Sequence, residues 1–258
     1  MPPEAPSAGY VLAEVAEQAG LPAGVLNVVT VDRAACAALV GDARVDMVSF
    51  TGSNATGLGI AAACACRLAR VTFELGGKSA ALILDDYDLE RAAGTLAGAA
   101  RHLSGQVCYA TTRLIVERRR HDAFVQALAE AFGSTRVGDR FDSACEMGPV
   151  LSARQRDRVE GYLARGWADG EKDALAKANE TVYGLNASVY TDDVQCAYAV
   201  ARRLRSGTVG HNGLRTDVTI AFGGFKQSGI GREGGAEGLR AFPEPKTVLL
   251  DAAPQQLS

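Results

Sequence analysis

The chain has 258 residues, 47% of them hydrophobic and 22% charged, with a formal net charge of −3. This is the composition of a globular protein with enough apolar residues to bury a sizeable core in one large or two small domains. The near-neutral balance leaves no electrostatic footprint for nucleic acid. No apolar run reaches the roughly 18 residues a membrane helix needs, and the N-terminus lacks the basic-then-apolar pattern of a secretory signal.

After a proline-rich opening, residues 10–19 read as a helix stopped by Gly20 and Pro22. Residues 24–30 read as a strand, and Asp32 is the expected N-cap of a helix over 33–40. Residues 45–50 form the next expected strand. Thr51–Gly57 turns it into a helix running to about Arg67, and Val71–Leu75 is a third strand. From Ser79 a second alternating series begins, with strands expected at 80–84, 111–116, 187–190, 207–212 and 246–251. Helices are expected at 91–103, 122–132, 151–165, 173–179 and 192–204. Strands alternating with helices imply parallel β-α-β units and an α/β fold with a doubly wound sheet.

Six cysteines (Cys36, Cys64, Cys66, Cys108, Cys145 and Cys196) are scattered through helical and loop stretches. They fit a reducing cytoplasm better than a disulfide scaffold. Cys64-Ala-Cys66 has no second pair at metal-ligand spacing, so no metal site is expected. The Arg118-Arg-Arg120 run reads as solvated surface, and His102, His121 and His211 show no pairing logic.

Two stretches carry chemistry. Val71-Thr-Phe-Glu-Leu-Gly-Gly-Lys-Ser79 is a β-branched and aromatic run ending in Gly-Gly, the pattern of a buried strand entering a turn of close backbone approach. A carboxylate at Glu74, between Phe73 and Leu75, is costly in a strand built for burial unless it is used or paired. Ser104-Gly-Gln-Val-Cys108 places a cysteine after a glycine loop at the end of an Ala-rich helix. On chemistry alone such a cysteine is most often a packed residue. A thiol and a separate carboxylate together suit covalent catalysis, one as nucleophile and the other activating a water. The two are 34 residues apart, so only tertiary folding can join them. Phe50-Thr-Gly-Ser53, with Gly57, has the strand–turn–helix form of an anion site, where free N–H groups face a phosphate; its plainer reading is an ordinary helix cap.

Glu-Leu-Gly-Gly-Lys-Ser followed at this distance by Gly-Gln-x-Cys resembles the NAD(P)-dependent aldehyde dehydrogenase superfamily. Phe50-Thr-Gly-Ser53 upstream and Phe222-Gly-Gly-Phe-Lys-Gln-Ser-Gly-Ile-Gly-Arg-Glu233 downstream fit the same family in the same order. The resemblance implies an aldehyde dehydrogenase-like fold. Residues 1–76 would be the later half of a Rossmann-like NAD-binding domain, and 77–230 an α/β catalytic domain. Residues 231–258 would include a strand that adds to a neighbouring subunit's sheet in a homo-oligomer.

The resemblance further implies oxidation of a small-molecule aldehyde to its acid with NAD, NADP being possible, through Cys108 as nucleophile and Glu74 as general base. Ser53 matches a serine that contacts the cofactor pyrophosphate, and Gly52, Gly57, Leu75 and Gly76 fall in the same cofactor-binding motifs. Glu4 matches a glutamate on the adenine-side ribose. Asn212 matches an asparagine near the site, and the glycine tract a structural loop at its mouth.

Two departures are expected. Met1 falls where the family has a ribose-binding lysine, so the segments before it, with the oxyanion asparagine, have no counterpart. Near Gly166-Trp-Ala168 the chain passes directly to a later helix and omits a Glu-Glu-Ile-Phe-Gly-Pro segment. These leave a second expectation open: a catalytically impaired remnant that is structural, associates with a complete subunit, or keeps only esterase chemistry.

Overall fold

A computed structural model of the chain describes Met1, residues 5–165 and residues 174–252. Glu4 and the junction at 166–168 lie outside the described residues. The chain divides into two compact units. One is Met1–Ser49 with Leu58–Val71, and the other is Phe50–Gly57 with Thr72–Ser258.

In the first unit, α1 (Ser7–Gln18) begins directly after Pro6 and α2 (Arg33–Gly41) begins at its expected cap, where Asp32 accepts the Ala35 N–H at 2.9 Å. The strand expected at 24–30 does not form. Gly24 takes a φ of +86°, Val25 donates to the Pro22 carbonyl and the Asn27 amide folds back onto the Gly24 carbonyl. These local bonds make a turn where an extended strand would need a neighbour's edge. β1 (Met47–Thr51), α3 (Asn54–Ala65) and β2 (Arg70–Glu74) each have residues in both units. Within the first unit the Arg70 N–H donates to the Asp46 carbonyl at 3.0 Å. The Arg67 guanidinium donates to the Val45 and Ala63 carbonyls beside buried Cys64.

The second unit is built on a parallel sheet. Its elements are β3 (Ser79–Ile83), α4 (Leu89–Arg101), β4 (Thr111–Val116), α5 (His121–Gly133), α6 (Ala153–Arg165), α7 (Ala174–Glu180), β5 (Tyr183–Gly184), β6 (Asn186–Tyr190), α8 (Val194–Ala201) and β7 (Thr208–His211). The strand order is β4-β3-β6-β7 and every pairing is parallel. Every residue of β3 and β6 is buried, as strands covered on both faces must be. Their side chains alternate. Ala81, Ile83 and Tyr190 face α4 and α5 through Ala92, Ala93, Leu96 and Phe124. Ala80, Leu82, Ala187 and Val189 face Ala178 of α7 and Ala197 of α8. Asp88 and Asp193 cap α4 and α8.

The glycine-rich tract folds back on this unit as β8 (Phe225–Lys226) and β9 (Gly229–Ile230), followed by α9 (Gly235–Arg240). β8 pairs antiparallel with β5, and β9 with β2. Residues 246–251, expected as a strand, form no ladder among the described residues, and Val248, Leu249 and Leu250 stand exposed.

Candidate active site

Glu74 ends β2. The Gly52 N–H donates to its backbone carbonyl at 3.0 Å, and across the other edge Glu74 is in register with Gly229. That inner position buries the side chain to 3% exposure, and neither carboxylate oxygen has a hydrogen-bond partner. Removal from water pushes its pKa up to about 7. The nearby Glu233 carboxylate adds to the rise and the Arg232 guanidinium opposes it. A carboxyl half-protonated near neutrality can exchange protons with a bound water, which an ordinary surface glutamate does poorly.

Cys108 reaches the site by a route the sequence did not show. α4 stops at Arg101, and Leu103, Ser104 and Gly105 then take φ values of +48°, +55° and +73°. Two of these three are non-glycine residues in the left-handed region, which costs roughly 1–3 kcal/mol each. Neighbouring bonds hold the turn. The Ser104 hydroxyl donates to the Gly148 carbonyl at 2.9 Å, and the Gln106 side chain accepts the Leu151 N–H at 3.2 Å. The chain emerges with Cys108 exposed in a turn rather than at a helix end. Partial removal of water from its sulfur raises the thiol pKa. The backbone N–H of Cys108 opposes this, the Glu74 charge adds to it, the Tyr109 N–H opposes it, and Glu233 adds to it again.

The two stretches meet at Gly77. A Cβ built there would lie 2.6 Å from the Cys108 carbonyl oxygen and 3.0 Å from Leu185 Cβ. Only glycine lets these backbones approach so closely. The glycine tract closes the other side. Phe222 and Glu233 exchange backbone hydrogen bonds at 2.7 and 2.8 Å, and Tyr109 packs edge-on against Phe222 with ring centroids 6.1 Å apart. Arg232 is held by the Gly231 and Gly224 carbonyls.

Of the expected cofactor-binding residues, Ser53 caps α3: its hydroxyl accepts the Thr56 N–H at 3.3 Å and its carbonyl accepts the Gly57 N–H. Gly52 and Ser53 are exposed at that helix start. Gly57 is buried, and a Cβ there would stand 2.9 Å from Leu75 Cδ2, so its role in this structure is to let α3 lie close on buried Leu75. Gly76 lies near the Asn54 side-chain oxygen. Ser53, Gly57, Leu75 and Gly76 therefore share one corner of the second unit with Glu74 and Cys108.

Ser228 was legible only as part of the glycine tract. It is fully buried, donates to the Gly76 carbonyl at 2.7 Å and accepts the Gly184 N–H at 2.9 Å. Its carbonyl accepts the Leu75 N–H. The Asn54 amide likewise donates to the Gln227 carbonyl at 2.6 Å. No local pattern marks these contacts, because they join segments far apart in sequence. Asn212 is committed elsewhere: at φ +54° its side chain bonds the backbone N–H and carbonyl of Thr191. Among the described residues no helix is long and apolar enough to cross a membrane.

Comparison with known proteins places the chain among close relatives. The family model described as "Aldehyde dehydrogenase family" matches residues 1–172 and 167–248. The chain is 38% identical over 289 residues to geranial dehydrogenase of Castellaniella defragrans, covering 93% of this chain and 60% of that protein. It is 36% identical to betaine aldehyde dehydrogenase 1 of Rhizobium meliloti, covering 94% and 61%. A crystal structure of Mycobacterium tuberculosis aldehyde dehydrogenase complexed with NAD+ superposes with a TM-score of 0.91 at 36% identity, covering 96% of this chain and 62% of that one. The chain belongs to the aldehyde dehydrogenase family. It spans about 60% of the length of the curated relatives it matches. The 289-residue alignment is longer than the 258-residue chain itself, so the relative carries stretches that face no residue here.

Proposed function

We propose that the chain oxidises a small-molecule aldehyde to its carboxylic acid with NAD, using Cys108 as nucleophile and Glu74 as general base. The observation that carries this reading is the buried Glu74 carboxyl, unpartnered and with a pKa of about 7, whose charge reaches the Cys108 thiol. As thiolate, Cys108 Sγ adds to the aldehyde carbon, a C–S bond forms and the carbonyl electron pair moves to oxygen. NAD, when bound, supplies the acceptor for the hydride that takes this carbon to the thioester level. Glu74 then removes a proton from a water as its oxygen adds to the thioester carbon. The C–S bond breaks, the thiolate leaves and the acid departs.

The exposed start of α3 suits a dinucleotide. Gly52 and Ser53 stand open at the N-terminus of a 12-residue helix, where backbone N–H groups favour a pyrophosphate. Leu75 and Gly76 border the same corner. Glu4, on the adenine-side ribose in this reading, would favour NAD over NADP. The family match in two pieces meeting at 167–172 supports an omitted internal segment, and exposed Val248, Leu249 and Leu250 support association with a second subunit.

NADH formation by the purified protein with a panel of aldehydes, beside Cys108→Ala, tests the assignment. Turnover that vanishes in the variant is the expected result. A folded protein that makes no NADH with any aldehyde would overturn it. One observation favours a second reading: Cys108 is exposed, open to an acyl donor with no cofactor in place, in a chain spanning about 60% of the length of its relatives. Such a chain could retain Cys108-dependent hydrolysis of an activated ester without NADH formation, and p-nitrophenyl acetate in the same assay separates the two.

A further inference from the structure

Two polar side chains in the middle of the second unit have no part in the chemistry above. Ser79 opens β3 and Asn186 opens β6. They are 2% and 1% exposed, and Ser79 Oγ, Asn186 Oδ1 and Asn186 Nδ2 all lack a hydrogen-bond partner. Ala80 pairs with Ala187 in the parallel ladder, so Ser79 and Asn186, one residue earlier on each strand, are neighbours. Alternation along the strands places both on the side of Ala81 and Tyr190, under α4. Their location is specific. Gly77, two residues before Ser79, lies against the Cys108 carbonyl oxygen and against the side chain of Leu185, just before Asn186. Ser79 also pairs with Thr111 where the β3–β4 register shifts.

Buried polar atoms are nearly always paired, and where protein offers no partner an ordered water commonly does. We propose that Ser79 and Asn186 hold such a water between β3 and β6, a fixed hydration site behind the Cys108 loop. The amide donates through Nδ2 and accepts through Oδ1, and the hydroxyl does both, so one water between them finds enough partners. Both residues are neutral, which suits water and leaves a charged ligand uncompensated in so buried a place. The water would tie the first residues of the two central strands together at the point that supports Gly77 and Leu185.

A crystal structure of the parent protein at about 1.8 Å, read with a urea-unfolding cycle of Ser79→Ala, Asn186→Leu and the double variant, tests this. The expected density is one water about 2.7–3.2 Å from Ser79 Oγ and from an Asn186 side-chain atom. Each single variant should lower the unfolding midpoint, and the double by clearly less than their sum, as for groups sharing one partner. A dry gap, or a direct Ser79–Asn186 hydrogen bond in the crystal, would overturn the proposal. So would a raised midpoint in either single variant, the result expected when a truly unpaired polar group is replaced by an apolar one, or strictly additive losses. The crystal reads the site in the parent chain, so a variant that fails to fold does not leave the question open.

Discussion

The Glu74 carboxylate lies against the backbone of Gly223. A Cβ on Gly223 would stand 2.7 Å from Glu74 Oε1, and 2.8 Å from both the Gly231 carbonyl oxygen and Arg232 Cδ. The backbone oxygen cannot swing away, so the glycine tract must shift to admit any side chain. Gly223→Ala should therefore destabilise the protein by about 1–3 kcal/mol, the range for overpacking a tight site. It should also alter the surroundings of Glu74. Urea unfolding at pH 7, with Gly59→Ala as a control in open space, reads the difference.

Glu74 makes stability depend on pH. Its folded pKa of about 7 lies above the ordinary glutamate value of 4.5. Between those values the native protein binds more protons than the unfolded chain, so stability falls as pH rises through that window. Below about pH 4.5 the group makes no penalty, and above about pH 7 the penalty is complete. Glu74→Gln removes the ionisation. It should flatten this part of the profile and make the variant more stable than the parent at pH 8, by about 1–3 kcal/mol after allowance for solvent screening. Unfolding midpoints at pH 5 and pH 8 for both proteins provide the check; equal slopes would contradict the assignment.

The same carboxylate acts on Cys108. Burial and the Glu74 charge hold the thiol above its ordinary range, while the residue itself is open to reagents. Iodoacetamide labelling of Cys108 should be slow at pH 7 and climb steeply with pH. Glu74→Gln, by removing one of the charges that oppose the thiolate, should move the midpoint of that climb down. Peptide-resolved mass spectrometry separates Cys108 from exposed Cys36 and Cys66. An unchanged profile in the variant would mean that the two groups do not communicate.

Much of this arrangement was written in local sequence. Strands were expected at 80–84 and 187–190, where β3 and β6 form, and Asp32 announced the start of α2. Glu74 stood out because a carboxylate in a strand built for burial is costly unless it is used or paired. What the sequence hid was long-range. The left-handed turn at Leu103 and Ser104 runs against the propensity of both residues and is held by Gly148 and Leu151. Residues 24–30 and 246–251 have the composition of strands, but neither pairs with another strand among the described residues.

Ser228 tests the long-range part. Its hydroxyl serves the Gly76 carbonyl and the Gly184 N–H inside a fully buried site. Ser228→Ala leaves both groups without that partner, and each orphan costs about 1–3 kcal/mol. The loss should reach about 2–4 kcal/mol in unfolding, far above that of an exposed control such as Ser143→Ala, which should change it by about 0.5 kcal/mol or less. A loss no larger than that of the control would show that water replaces the hydroxyl.

Gly77→Ala separates positioning from stability. The added methyl would stand 2.6 Å from the Cys108 carbonyl oxygen, a backbone atom that follows the left-handed residues Leu103, Ser104 and Gly105, the last of them three residues earlier. Leu185 Cβ, 3.0 Å away on the other side, is fixed by the start of β6. The Cys108 turn is the less firmly held of the two neighbours, since Cys108 is exposed and Leu185 is 1% exposed. The methyl should therefore push the Cys108 turn outward and leave the sheet in place. Displacement by about 1 Å is enough to cost roughly 100-fold in a reaction that needs alignment. With an aldehyde that the parent turns over, Gly77→Ala should lose kcat by about that factor while its unfolding midpoint falls only modestly. Cys108 labelling should also lose its sensitivity to Glu74→Gln in this background. A variant that unfolds early but keeps parental kcat below its midpoint would show instead that the sheet, not the Cys108 turn, gives way.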